Sequence, residues 1–237
     1  MRGFILVGGL GTRLRTIGIT RPKPMIEING RPFLEYLIRN LRRNKITEIV
    51  LCVGFGAEIV QNHFRDGNRL GVKIFYSNEE MPLGTGGAIK NAEEFAVDEN
   101  IILNGDSYLE LNYGAMLAFH RQKEALATIA CTPVEMTGDY GSIRLTETQQ
   151  ILDFSEKVDS GTNGLINGGV YIFGKEAFSH IPAQQKVSIE EETFPELVKT
   201  QKCFAWKTRG YFLDIGTPER LSRARIELPD FFESQDL

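Results

Sequence analysis

The 237-residue sequence predicts an α/β fold: an open, mostly parallel mixed sheet with helices on both faces. Three observations predict it. Continuous apolar runs such as Phe4-Ile5-Leu6-Val7 and Ile49-Val50-Leu51-Cys52-Val53 have the composition of strands buried on both sides. Between such runs, apolar residues recur at helical spacing, and alternating strands and helices favour a parallel sheet with right-handed crossovers. Glycine-rich stretches then follow two of the strands, at Gly8-Gly9-Leu10-Gly11 and Gly84-Thr85-Gly86-Gly87, at the C-terminal edge where an open α/β sheet takes its ligands.

Length and composition narrow the function classes. The chain suits one domain with a sizeable core. A net charge of -4 provides no basic field for nucleic acid. No segment approaches the length of a membrane span, and the first apolar run is too short for a secretory leader. Cys52, Cys131 and Cys203 are isolated and odd in number, which fits reduced core thiols and a cytoplasmic protein better than a disulfide set. His63, His120 and His180 have no zinc spacing and are not expected to be catalytic.

The first strand, with Leu6 near its end, stops after Val7, and the loop after it carries Gly8, Gly9, Gly11, Thr12 and Arg13. Glycines leave backbone N–H groups bare for close approach to phosphate oxygens, and a guanidinium is a planar cation suited to phosphate. The loop lacks the Gly-Lys-Ser/Thr of a Walker A motif, and Leu14 stands where a dinucleotide fingerprint needs its third glycine. Arg21-Pro22-Lys23-Pro24-Met25 then sets a lysine between two prolines. Each proline fixes its own φ and restricts the residue before it, so Lys23 loses less freedom on engaging an anion.

Together, Gly8-Gly9-Leu10-Gly11-Thr12-Arg13-Leu14 and Pro22-Lys23-Pro24-Met25 resemble the signature of the sugar-1-phosphate nucleotidylyltransferases. The resemblance extends over about Met1 to Arg225. It implies the Rossmann-like fold of nucleotide-diphospho-sugar transferases, with residues 1–125 as the nucleotide-binding half and 126–225 as the sugar-phosphate half; beyond it, the acidic residues 228–237 are expected to be a frayed tail.

The remaining elements follow in order. Ile26-Glu27-Ile28 is a short strand closed by the turn pair Asn29-Gly30. A helix from Pro32 to Asn44 places Phe33, Leu34, Leu37, Ile38 and Leu41 on one face. Ile59, Val60, His63 and Phe64 mark a second helix, and Val72 to Tyr76 a third long strand. Gly84 to Gly87 is expected to be a loop opening a helix from Ala88 to Phe95, whose N-terminus would offer free N–H groups. By resemblance this is the base-binding loop: Gly84 and Gly87 would let a nucleobase lie against the backbone, Thr85 sits among them, and the Glu79 carboxylate would accept from the N1–H and N2–H edge of guanine.

Ile101-Ile102-Leu103 is a buried strand ending in Asn104-Gly105-Asp106. An aspartate there caps a turn or holds magnesium, which takes one or two carboxylates; the resemblance selects the metal. A helix over Tyr113 to Gln122 and a strand over Ala127 to Cys131 follow. Strands near Ser142-Ile143, over Ile151 to Phe154 and over Leu165 to Phe173 are expected to extend the sheet and wall the sugar site. There the resemblance places Asn104, Gly141, Glu156, Lys157 and Asn167 around the sugar phosphate. Ser188-Ile189-Glu190-Glu191 is a capping box opening a helix to Lys199, and Cys203 to Lys207 is a strand. Asp214 lies among apolar residues and needs a partner; by resemblance it is the second metal ligand. Thr217 and Pro218 cap and start the closing helix.

The activity implied is sugar 1-phosphate plus NTP giving nucleotide-sugar plus pyrophosphate, with Arg13, Lys23, Asp106 and Asp214 as the catalytic set and Mg²⁺ on the two aspartates. Within the family the chain looks most like heptose 1-phosphate guanylyltransferases, which makes GTP the favoured NTP and surface polysaccharide the destination. Mannose 1-phosphate guanylyltransferase, N-acetylmuramate 1-phosphate uridylyltransferase, transfer of a guanylyl group to a pterin cofactor and a non-catalytic sugar-nucleotide-binding subunit remain alternatives. A homo-oligomer is left open.

Overall fold

Side chains alternate along β1 (Arg2–Leu6): Phe4 and Leu6 enter one buried cluster, Ile5 and the following Val7 another. A strand apolar on both faces is stable only if both faces are covered, and the rest of the fold supplies that cover. The computed structural model describes residues 1–9, 21–134, 142–155 and 164–234.

A hairpin of β2 (Glu27–Ile28) and β3 (Arg31–Pro32) leads into α1 (Phe33–Arg43). It turns at Asn29 and Gly30, both at positive φ, as the turn pair predicts. The sequence then gives β4 (Glu48–Val53), α2 (Ala57–Phe64), β5 (Lys73–Asn78), α3 (Gly84–Asn91), β6 (Glu99–Asn104) and β7 (Ser107–Leu109). After α4 (Tyr113–Gln122) come β8 (Ala127–Val134), β9 (Ser142–Leu145), β10 (Ile151–Ser155) and β11 (Gly164–Gly174). The chain closes with α5 (Phe194–Lys199), β12 (Cys203–Lys207), β13 (Phe212–Asp214) and α6 (Pro218–Ser234).

Among the described residues, nine strands form one sheet, ordered β10-β9-β11-β6-β1-β4-β5, with β8 pairing β11 and β12. Pairings β6-β1-β4-β5 are parallel, and β11 turns antiparallel against β6. The later strands thus extend the sheet begun by the first half, as expected. One face carries α1, α2, α4 and α6, whose Leu37, Val60, Met116 and Leu228 share a cluster with Ile5. The other carries α3 and α5, whose Ile89 and Leu197 cluster with Phe4.

Four expectations need correction. Gly84 to Gly87 are not a loop: they form the first turn of α3, which ends at Asn91, and a separate 3-10 turn covers Glu93–Phe95. In α2 the buried face is Val60 and Phe64, while Ile59 is exposed. Ser188 caps its helix by accepting from Glu191 N–H, but the reciprocal carboxylate is Glu192, because the first turn, Ile189–Thr193, is a π-turn that shifts the partner by one residue. Residues 228–234 do not fray: α6 runs through them with Leu228 and Phe232 buried.

Candidate active site

The C-terminal ends of β1, β4, β5 and β6 converge. Gly8 and Gly54 approach so closely that a Cβ on Gly54 would stand 3.5 Å from Gly8 Cα, and one on Gly8 would meet Glu79 Oε1 at 2.7 Å. Glu79 Oε2 accepts from Leu83 N–H at 2.9 Å. Burial pushes the Glu79 carboxyl above the usual carboxylate range, only partly offset by that hydrogen bond. Gly9 is exposed, and a Cβ there would meet nothing within 4 Å among the described residues.

Lys23 arrives through its prolines. Pro22 and Pro24 frame a 3-10 turn over Lys23–Met25, with Met25 N–H donating to Pro22 O at 2.8 Å. Gly105 makes room for it: a Cβ on Gly105 would run into Leu6 O and stand 3.0 Å from Pro24 Cγ. The turn after β6 is thereby pressed against both β1 and the proline turn. Lys23 Nζ meets Asp106 Oδ2 at 2.8 Å, with the lysine 18% and the aspartate 39% exposed.

Asp214 reaches the same place from the far end of the sequence. β13 pairs antiparallel with β7 and sets Asp214 opposite Ser107, and Ile215 N–H donates to Asp106 O at 2.9 Å. Asp214 Oδ1 accepts from Gly216 N–H at 2.8 Å and from Arg220 Nη1 at 3.3 Å. Arg220 was missed in the sequence; its signal is its place in the first turn of a helix that starts just after Asp214. Ser107 was also missed: its Oγ is buried with no hydrogen-bond partner among the described residues.

Beyond β6 lies a chain of amides. Asn167 Oδ1 accepts from Gly169 N–H at 2.9 Å, Asn167 Nδ2 donates to the Tyr171 hydroxyl at 2.8 Å, and that hydroxyl donates to Asn104 Oδ1 at 3.3 Å. Gly11, Thr12, Arg13, Gly141, Glu156 and Lys157 lie outside the described residues.

The glycines of α3 behave differently from expectation. Their missing side chains make room for residues 185–187: a Cβ on Gly84 would sit 2.6 Å from Val187 O, and one on Gly87 2.7 Å from Gln185 O. Gly86 and Gly87 N–H groups both donate to Val187 O. Thr85 is no cap; its hydroxyl accepts from Ile189 N–H at 2.8 Å. These two N–H groups of the helix start are thus engaged by the chain itself rather than left for a ligand.

This geometry, a cation and two carboxylates at one sheet edge beside bare glycine backbone, suits phosphoryl transfer by positioning and charge. The nucleotidyl transferase family matches residues 2–230. The chain belongs to that family. This nucleotidyl transferase is 39% identical over 219 residues to D-glycero-alpha-D-manno-heptose 1-phosphate guanylyltransferase of Campylobacter jejuni, covering 92% of this chain and 96% of the relative. It is 36% identical to the protein of that name from Aneurinibacillus thermoaerophilus, over 98% of this chain and 100% of the relative. The crystal structure of HddC from Yersinia pseudotuberculosis superposes with a TM-score of 0.85 at 33% identity, covering 96% of this chain and 99% of that one; a second structure of that protein is complexed with GMP-PN. The transferase is accordingly an enzyme of the sugar-1-phosphate nucleotidylyltransferase type, with the fold read from its sequence. None of its described helices is long and apolar enough to cross a membrane.

Proposed function

We propose that the protein joins GTP to a heptose 1-phosphate, giving GDP-heptose and pyrophosphate. The observation that carries the mechanism is the convergence of Lys23, Asp106 and Asp214 from three distant parts of the sequence. The substrates are taken from the heptose 1-phosphate guanylyltransferases it most resembles among the relatives above. The work belongs in the cytoplasm, where nucleoside triphosphates are made.

A phosphate oxygen of the sugar attacks the α-phosphorus in line, and pyrophosphate leaves. The nucleophile needs no general base, because a phosphate monoester with a second pKa near ~6 is largely dianionic at neutral pH. His120, buried against Thr128 at 2.8 Å and held down to about 4 by burial, has no part in it. The difficulty is to bring two anions together, and fixed charges meet it. In the free protein Lys23 and Asp106 neutralise each other. Phosphate oxygens compete for Lys23, which releases Asp106. Arg13 and the backbone from Gly8 to Thr12 hold the departing phosphates; Lys157 neutralises the sugar phosphate, with Gly141, Glu156 and Asn167 around the sugar.

Asp106 and Asp214 fit a divalent cation: both are oxygen donors, Asp106 lies in the turn just before β7, and the β7–β13 pairing sets Asp214 opposite the neighbouring Ser107. That suits magnesium, which takes one or two carboxylates and keeps other positions for water and phosphate. Such an ion would supply charge neutralisation between the two reacting phosphate groups. Glu79, with one oxygen committed to Leu83 N–H, is left to read the guanine edge with the other; Leu6 lines the nucleotide side, and Gly84, Thr85 and Gly87 serve it by seating α3 against residues 185–189.

Mannose-1-phosphate guanylyltransferase of Mycobacterium tuberculosis is 34% identical over 94% of this chain and 63% of its own length, so mannose 1-phosphate is the competing sugar. The test is pyrophosphate release with each of four NTPs against a panel of sugar 1-phosphates. Turnover highest with GTP and a heptose 1-phosphate is expected. No turnover with GTP would overturn the guanylyl assignment, and preference for mannose 1-phosphate would overturn the heptose.

A further inference from the structure

A backbone group anchors the amide chain beyond β6. Gly169 lies in the bulge of β11, where the register against β8 shifts between Asn167 and Tyr171, and its φ is +73°. A bulge of this kind re-aims a side chain. A backbone N–H cannot flip, so its bond to Asn167 Oδ1 fixes which end of that carboxamide is oxygen. The NH2 end must then face the Tyr171 hydroxyl, which it does at 2.8 Å. Having accepted there, the hydroxyl turns its single proton to Asn104 Oδ1 at 3.3 Å. The Asn104 carboxamide is left with its NH2 directed away from Tyr171. No acceptor among the described residues meets it, and it lies 3.3 Å from where a Cβ on Gly169 would stand.

Tyr171 is suited to this work. It is fully buried, with its ring against Phe194 at 5.0 Å between centroids. Burial, with Glu190 and Asp106 adding in the same direction, holds the phenol well above its ordinary pKa, so it stays a donor. Asn104 ends β6 two residues before Asp106, beside the transfer site and on the opposite side of β1 from Glu79.

We propose that Tyr171 is a positioning residue for the sugar-phosphate side of the reaction: its hydroxyl orients the Asn104 carboxamide so that the NH2 faces an acceptor oxygen of the sugar 1-phosphate. The proposal rests on the function inferred above. Tyr171→Phe keeps the ring and removes the link. With it, the Asn104 amide is free to turn an oxygen toward an oxygen.

The experiment measures the sugar 1-phosphate KM at saturating GTP, together with the Kd of a non-hydrolysable GTP analogue, in wild type, Tyr171→Phe, Asn104→Ala and the double variant. Tyr171→Phe should raise the sugar KM roughly tenfold or more, as expected for loss of one polar contact, and leave the GTP-analogue Kd within about twofold. The double variant should be no worse than Asn104→Ala, since the tyrosine acts through that residue. A sugar KM within about twofold of wild type, an equal loss in nucleotide binding, or additive effects would each overturn the proposal. If Tyr171→Phe does not fold, Asn104→Asp carries the test: it retains an oxygen for Tyr171 but has no NH2, so its sugar KM should rise to a similar degree, and an unchanged KM overturns the proposal. Wild-type turnover is read first. If no sugar 1-phosphate gives any with GTP, the proposed function falls and this proposal with it; an active wild type with an unmoved Tyr171→Phe overturns this proposal alone.

Discussion

Glu79 sets stability against binding within one carboxylate. Packed on Gly8 and Gly54, its carboxyl is held above the ordinary range by burial. The native state therefore holds that proton more tightly than the unfolded chain does, and stability falls as pH rises from the ordinary carboxylate range through the raised value. Glu79→Gln removes this loss. Its Tm should exceed that of wild type at pH 7, and the gap should shrink at pH 4; an equal gap at both would contradict the assignment. Glutamine is uncharged and has a single acceptor oxygen, for which Leu83 N–H and the guanine edge must compete, so GTP affinity should fall roughly tenfold in the same variant. Lys23 stands at the other extreme. It is 18% exposed and paired to Asp106, and Lys23→Ala should lower turnover by roughly 10²–10³ with the protein still folded. Near-normal turnover would remove Lys23 from the mechanism.

At the scale of elements, two glycine-rich stretches that look alike in sequence do opposite things. A Cβ at Gly9 would meet nothing within 4 Å among the described residues, whereas one at Gly84 would strike Val187 O from a backbone at φ +70°. Gly9→Ala should accordingly leave stability within about 0.5 kcal/mol while weakening triphosphate binding, because the added methyl touches none of the described residues and lies where the ligand is proposed to sit. Gly84→Ala should destabilise the protein itself, read as a clear drop in Tm. Reversal of these two results would show the roles misassigned. The elements themselves were mostly legible, because helical spacing in α1 and unbroken apolar runs in β4 and β6 report burial directly. The start of α3 was not. Glycines usually break helices, and nothing in the local sequence says that residues 185–187 will lie against them and accept their N–H groups. The π-turn after Ser188 was hidden for a similar reason: a capping box gives the spacing of side chains but not the width of the first turn.

Across the whole molecule, the site sits where the parallel half of the sheet meets the antiparallel half. β1, β4 and β5 bring Gly8, Gly54 and Glu79; β6 brings Asn104 and Asp106; β11 brings Asn167; and the β7-β13 ribbon folds Asp214 back onto them. The prolines around Lys23 could be read from the sequence because they break a local expectation, whereas the two aspartates were singled out by the family resemblance, since an aspartate at a strand end is by itself an ordinary turn residue. Tyr171, Ser107 and Arg220 could not, because a buried tyrosine in an apolar run, a serine beside an aspartate and an arginine in a first turn are ordinary in isolation. Their meaning comes from contacts across 67 residues in the Tyr171–Asn104 bond and from strand pairing between distant segments. The most direct measurement is single-turnover pyrophosphate release from GTP and heptose 1-phosphate in wild type, Asp106→Ala and Asp214→Ala, with folding checked for each. Release slowed by roughly 10² or more in both folded variants is the predicted result; near-wild-type release in either would contradict transfer by charges gathered at this sheet edge.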